Sequence, residues 1–320
     1  MKIAVVGAGA FGTALAITLA QEHRVVLWGR DQAQVKIMQQ ARENQSRLPG
    51  HRLPESIHPT ANLDDLRDQN IILLSVPMQK LRSFLESAGD VFDNKILVSC
   101  CKGIELSTGC GPCDIISDLT RRSKVALLTG PSFAQDIAQG LPTALTLACT
   151  DETLGSELQE ILSADTLRLY TTTDVIGASL GGALKNVIAI ACGAAMGAGL
   201  GESARAALMT RGNAEMQRYA VSKGGSAETL SGLSGFGDLV LTCTSDLSRN
   251  YRLGLSIGGK TDFDPQTTVE GAATARAITA EAERAGLDMP ISRTVAALVE
   301  NRMDVQSAMA ALLSRSLKEE

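Results

Sequence analysis

The sequence has 320 residues, 44% of them apolar and 20% charged, with 30 Lys and Arg against 35 Asp and Glu for a formal charge of −5. This composition excludes a disordered, collagen-like or fibrous chain, and the lack of a basic stripe excludes wrapping of nucleic acid. At about 150 residues per domain the length gives two domains, each long enough to bury a core.

Short apolar runs at residues 2–6, 24–28, 70–75, 95–99, 124–129, 143–148 and 166–170 read as strands. Several are separated by stretches of helical periodicity, such as 31–45 and 151–163. Runs of Val, Ile and Leu without alternation suit strands buried on both faces, as in a parallel sheet covered by helices. Strand followed by helix, repeated, predicts a doubly wound Rossmann-type α/β domain. With the first strand already formed by residues 2–6, no signal peptide is expected.

Directly after that first strand comes Gly7-Ala-Gly9-Ala10-Phe11-Gly12, which opens a helix predicted over 13–20. In a dinucleotide fold Gly7 makes the tight turn and Gly9 admits the pyrophosphate. Gly12 lets helix and strand pack closely, and the helix start supplies amide donors. NAD-binding chains usually carry Asp or Glu at the end of the second strand. Here that strand ends Trp28-Gly29-Arg30, and Arg30 suits the 2′-phosphate of NADP. The reading is therefore NADP, with NAD possible.

Lys102 follows the strand at 95–99, and the turn Gly130-Pro-Ser132-Phe-Ala134 follows the strand at 124–129. Both lie at strand ends, where open α/β sheets bind ligands. The seven cysteines do not read as a disulfide framework and suit a reducing compartment. Cys100, Cys101, Cys110 and Cys113 look like half a zinc site, but no second pair follows at finger spacing, so no metal is expected.

Beyond residue 173 the strand signal stops and the chain becomes Ala-rich and helical, giving an all-α half with domains at 1–180 and 181–320. The apolar stretch 175–201 is interrupted by Lys185 and rich in glycine, which fits a tightly packed helix better than a membrane span. Sixteen of the 30 glycines lie between residues 175 and 260. Each weakens a helix by about 1 kcal/mol relative to Ala, so their clustering implies a close approach of backbones or ligand.

Lys185 is the only charged side chain between Asp174 and Glu202. Burial and nearby cations would disfavour its ammonium, and moving a lysine from about 10.4 to 7–8 takes roughly 4 kcal/mol. No histidine occurs after His58, and Lys223, Lys260 and Lys318 stand in polar surroundings. Lys185 is thus the best-placed proton carrier of this half. Asp238 and Thr242 are four apart, on one face of a helix. Ser248-Arg249-Asn250 reads as a serine N-cap opening a helix with a guanidinium and an amide on its first turn, which suits a phosphate.

Eight ordered blocks resemble the bacterial NAD(P)-dependent glycerol-3-phosphate dehydrogenases: Gly7–Ala16, Lys102–Glu105, Gly130–Ala134, Ala183–Val187, Ala206–Gly212, Gly235–Cys243, Ser248–Asn250 and Val269–Gly271. The resemblance runs nearly end to end. It implies reversible reduction of dihydroxyacetone phosphate to sn-glycerol 3-phosphate, the precursor of phospholipids. By the same resemblance Lys185 is the proton donor and acceptor, with Asp238 beside it. Lys102, Gly130, Ser132, Asn186, Asp238, Thr242, Ser248, Arg249 and Asn250 surround the substrate. Ala10, Phe11, Arg30, Lys102, Ala134, Arg249, Thr268 and Glu270 contact the cofactor. Phe236 departs from the family's usual Leu, and the stretch before Val269 is short. A cytoplasmic homodimer acting on a phosphorylated small molecule is the resulting expectation.

Overall fold

A computed structural model describes residues 1–265 and 267–314. The chain divides into two compact units, Met1–Ser179 and Leu180–Glu320.

In the first unit eight strands form one sheet: β1 Ile3–Val6, β2 Val25–Trp28, β3 Ile57–Thr60, β4 Ile71–Leu74, β5 Ile96–Ser99, β6 Lys124–Thr129, β7 Thr143–Ala148 and β8 Leu167–Thr172. Their order is β3-β2-β1-β4-β5-β6-β7-β8. Alternate side chains enter two separate cores. Ile3, Val5, Leu27, Ile71, Leu73 and Val98 pack on one face, and Ala4, Val6, Trp28, Ile72, Leu74 and Leu97 on the other. Both faces being dry explains why the strands read as unbroken apolar runs.

Two features differ from the sequence expectation. β3 carries Pro59 and an exposed His58, and so lacks the apolar pattern. It survives because it is an edge strand, paired only with β2, where a missing N–H is tolerated. β7 runs antiparallel to β6, whereas every other pairing is parallel. A continuous apolar run reports burial on both faces and carries no direction, so the sequence pattern could not distinguish the two.

The helix after β1 spans Ala10–Leu19, three residues earlier than expected, so Gly12 lies in its first turn. Asp31 caps the next helix, Gln32–Ala41, accepting from the amides of Ala33 and Gln34. That helix stops short of residue 45 because Arg42 turns left-handed (φ 51°) and its guanidinium donates to the carbonyls of Pro54 and Ile57. Asp151 caps Glu152–Leu162 in the same way.

The second unit is helical. Helix Val175–Gly197, which begins in the first unit, is the one described helix long and apolar enough to cross a membrane (mean hydropathy 1.7), and 78% of its apolar window is buried. Glu202–Ser222, Ala227–Ser231, Asp238–Cys243, Arg249–Gly259, Glu270–Ala285, Pro290–Val299 and Val305–Leu313 follow. A π-helical turn at Leu233–Gly237 leads into Asp238. Buried Glu215 accepts from the amides of Ile291 and Ser292, capping the helix that Pro290 opens.

Glycine clustering has a direct structural reason. A Cβ at Gly193 would stand 2.1 Å from the Tyr251 carbonyl, and one at Gly197 2.3 Å from that of Leu255. From the facing helix, a Cβ at Gly254 would meet the Ile190 carbonyl at 2.2 Å, and one at Gly258 the Ala194 carbonyl at 2.1 Å. Two glycine pairs, each spaced by four, let Val175–Gly197 and Arg249–Gly259 touch backbone to backbone. No other residue type fits there.

Candidate active site

In the first unit the sheet order reverses between β1 and β4, the place where open α/β sheets take ligands. Gly7 has φ +108°, and a Cβ there would lie 2.2 Å from the Ser75 carbonyl. A Cβ at Gly12 would lie 2.1 Å from the carbonyl of Gly7. Nothing lies within 4 Å of where a Cβ of Gly9 would be. Gly9 is also the N-cap and provides no side-chain cap, so the first-turn amides of Ala10, Phe11 and Gly12 have no intrahelical acceptor. Two tightly closed glycines and one open one, ahead of uncapped amides, fit a dinucleotide pyrophosphate. Ala10, Phe11 and Ala134 pack partly buried around one small cluster, Ala14, Leu48 and Ile137.

Arg30 is exposed just beyond β2. The neighbouring Asp31 carboxylate accepts from two amides of its own helix. Lys102 Nζ donates to the Gly130 carbonyl at 3.0 Å, and Ser132 Oγ donates to the same oxygen at 3.2 Å. Three sequence-assigned residues therefore meet at one carbonyl.

In the second unit Lys185 is 6% exposed, and its ammonium forms an ion pair with Asp238, itself 1% exposed. Nζ also donates to Thr242 Oγ1 at 2.9 Å, and that hydroxyl donates to the Asp238 carbonyl at 2.6 Å. Asp238 and Thr242 share one helical face because Asp238–Cys243 is helical. The family resemblance put Asp238 beside Lys185, and that carboxylate gives the desolvated ammonium its counter-charge.

Ser248 caps Arg249–Gly259 by accepting from the Tyr251 amide at 3.2 Å. Arg249, on the first turn, is exposed. Asn250 Nδ2 donates to Asn186 Oδ1 at 2.9 Å, and its Oδ1 accepts from the Gly271 amide at 2.9 Å. A Cβ at Gly271 would stand 2.6 Å from Asn186 O and from Asn250 Oδ1, so only glycine allows this seat. Thr268 is exposed ahead of helix Glu270–Ala285, which the half-buried Glu270 opens. Sequence reasoning missed the role of the Gly271 amide, and also Gln34 and Asn44, which hold the glycine-rich loop. Their polar side chains carry no local pattern that marks them.

Burial pushes the thiols of Cys100, Cys113, Cys149 and Cys243 up, away from the thiolate that metals require. Among the described residues no three His, Cys, Asp or Glu side chains gather as a metal site.

Comparison with known proteins places these geometries in context. Residues 2–155 match the family model of the NAD-dependent glycerol-3-phosphate dehydrogenase N-terminus, and residues 174–310 that of its C-terminus. The chain is 65% identical to the NAD(P)+ glycerol-3-phosphate dehydrogenase of Roseobacter denitrificans over 100% of both chains. It is 57% identical to that of Ruegeria sp., again over 100% of both. Among solved structures it resembles glycerol-3-phosphate dehydrogenase from Coxiella burnetii, with 33% identity, 98% of each chain covered and a TM-score of 0.90.

Proposed function

Because the chain belongs to the NAD(P)-dependent glycerol-3-phosphate dehydrogenases, we propose that it reversibly reduces dihydroxyacetone phosphate to sn-glycerol 3-phosphate, supplying glycerophospholipid synthesis. NADP is the preferred dinucleotide, with NAD also used. Residues 1–180 hold the dinucleotide and residues 181–320 the phosphorylated substrate. The enzyme acts as a cytoplasmic homodimer.

The observation that carries this reading is the buried Lys185–Asp238–Thr242 group. A ketone becomes an alcohol by gaining a hydride at carbon and a proton at oxygen. A dinucleotide held by the Gly7–Gly12 loop would supply the hydride in this direction and accept it in the reverse. Lys185 gives its proton from Nζ to the ketone oxygen and is left as the neutral amine. In the oxidation it takes the hydroxyl proton back. Asp238 balances the ammonium, and Thr242 fixes the direction of Nζ. General acid catalysis of this kind contributes about 10²–10⁴-fold, and fixed geometry supplies much of the rest.

Arg249 and Asn250, with Ser248 at the helix start, hold the substrate phosphate by charge, amide donor and helix dipole. Asn186 keeps Asn250 turned. Lys102, Gly130 and Ser132 also belong to the substrate, and Lys102 touches the cofactor as well. Gly7, Gly9, Ala10, Phe11 and Gly12 receive the pyrophosphate, Arg30 the 2′-phosphate, and Ala134, Arg249, Thr268 and Glu270 the remainder of the dinucleotide.

Steady-state oxidation of NADPH and NADH, followed at 340 nm with dihydroxyacetone phosphate and a panel of other phosphorylated or acidic ketones, tests the proposal. Turnover confined to another ketone would sink it.

A further inference from the structure

The glycine-rich loop is held from behind by two side chains far along the sequence. Asn44 is 1% exposed. Its Nδ2 donates to the Ala8 carbonyl at 3.0 Å and to Thr13 Oγ1 at 2.7 Å, using both hydrogens. Its Oδ1 accepts from Gln34 Nε2 at 2.9 Å, and the same Gln34 nitrogen also donates to the Ala8 carbonyl at 3.1 Å. One carbonyl in the middle of Gly7–Gly12 is therefore pinned by two amides. Thr13, the residue closing the first helical turn, is pinned by one of them.

Gln34 in turn stands on the first turn of the helix capped by Asp31, the residue next to Arg30. The same short helix thus carries the loop clamp and follows directly on the cation assigned to the 2′-phosphate. A flexible glycine loop gains the most from such outside support, because glycine loses more backbone freedom on ordering than any other residue. Fixing the Ala8 carbonyl inward fixes the peptide plane it shares with Gly9, and hence the direction of the amides that follow.

We propose that Asn44, assisted by Gln34, is a positioning residue for the dinucleotide: it preorganises the Ala8–Gly12 amides as a pyrophosphate cradle before any cofactor arrives. The proposal rests on the cofactor reading given above. It differs from plain core stabilisation in one respect, since it requires dinucleotide affinity to fall by more than fold stability explains.

The test compares wild type, Asn44→Ala and the milder Gln34→Ala, at a half-buried position. Three quantities are read: the melting temperature without ligand, hydrogen exchange of the Gly9–Gly12 amides without ligand, and the dissociation constant for NADPH by quenching of Trp28 fluorescence or calorimetry. Removing a buried hydrogen bond of this kind should raise the NADPH dissociation constant roughly ten- to a hundredfold in Asn44→Ala, and less in Gln34→Ala. Exchange at the loop amides should quicken in both. Unchanged NADPH affinity in both variants overturns the positioning role, whatever happens to melting temperature. Wild type that binds neither NADPH nor NADH overturns the cofactor reading itself, and the positioning role with it.

Discussion

Asn186 and Asn250 are joined side chain to side chain at 2.9 Å, although 64 residues separate them. Each is the next residue after a cation, Lys185 and Arg249 respectively. The amide bridge therefore sets the spacing between the helix that bears Lys185 and the helix that bears Arg249. The two glycine pairs that let these helices touch set the same spacing farther along.

Replacing Lys185 tests the proton role most directly. Lys185→Ala should lower kcat by at least about 10²–10⁴-fold while NADPH still binds, and a rate near that of wild type would remove Lys185 from the mechanism. Lys185→Arg should fail to restore activity, because guanidinium does not release its proton in this pH range.

The cofactor preference should follow Arg30. In Arg30→Asp, loss of a charge-assisted contact to the 2′-phosphate is expected to cut kcat/KM for NADPH roughly ten- to a hundredfold. The value for NADH should change little. If wild type prefers NADH and the exchange alters neither value, Arg30 has no part in the choice.

Helix contact, rather than chemistry, is probed by Gly254→Ala. The new methyl would press on the Ile190 carbonyl, where an ideal Cβ stands only 2.2 Å away. Overpacking of this sort costs about 1–3 kcal/mol or more. Melting temperature should fall by several degrees, and KM for dihydroxyacetone phosphate should rise as the Arg249 end of the helix is displaced. Wild-type values of both would show that the contact yields easily.

Acid stability should depend on Glu105. The Arg82 guanidinium, bonded to both carboxylate oxygens, holds its carboxyl below the ordinary value, with help from the Thr108 hydroxyl. A depressed carboxyl stabilises the fold above its unfolded pKa of about 4.3, and that contribution is lost as pH falls through the folded value. Denaturant unfolding of wild type and Glu105→Gln should therefore differ most at pH 7, and the gap should shrink as pH falls below about 4.3. A gap that stays constant with pH would exclude the linkage.

Several parts of this protein could be read without any structure. Seven of the eight strands, the glycine turn after β1, the Ser248 cap and the isolation of Lys185 all lie in short local patterns. Such patterns work because burial, backbone angles and capping are settled within a few residues of the chain. β3 escaped because an edge strand with Pro59 needs no apolar alternation, and the reversed direction of β7 left no mark on its composition.

Residue types and local spacing fixed what each segment could become: a buried strand, a phosphate-friendly helix start, a single charge within an apolar stretch. Only the tertiary fold decided who meets whom. Asp238 reaches Lys185, Asn250 reaches Asn186, and Asn44 reaches Ala8 across long stretches of chain. These pairings depend on how helices pack and where a loop returns, which is a property of the whole chain's packing and not of any window along it.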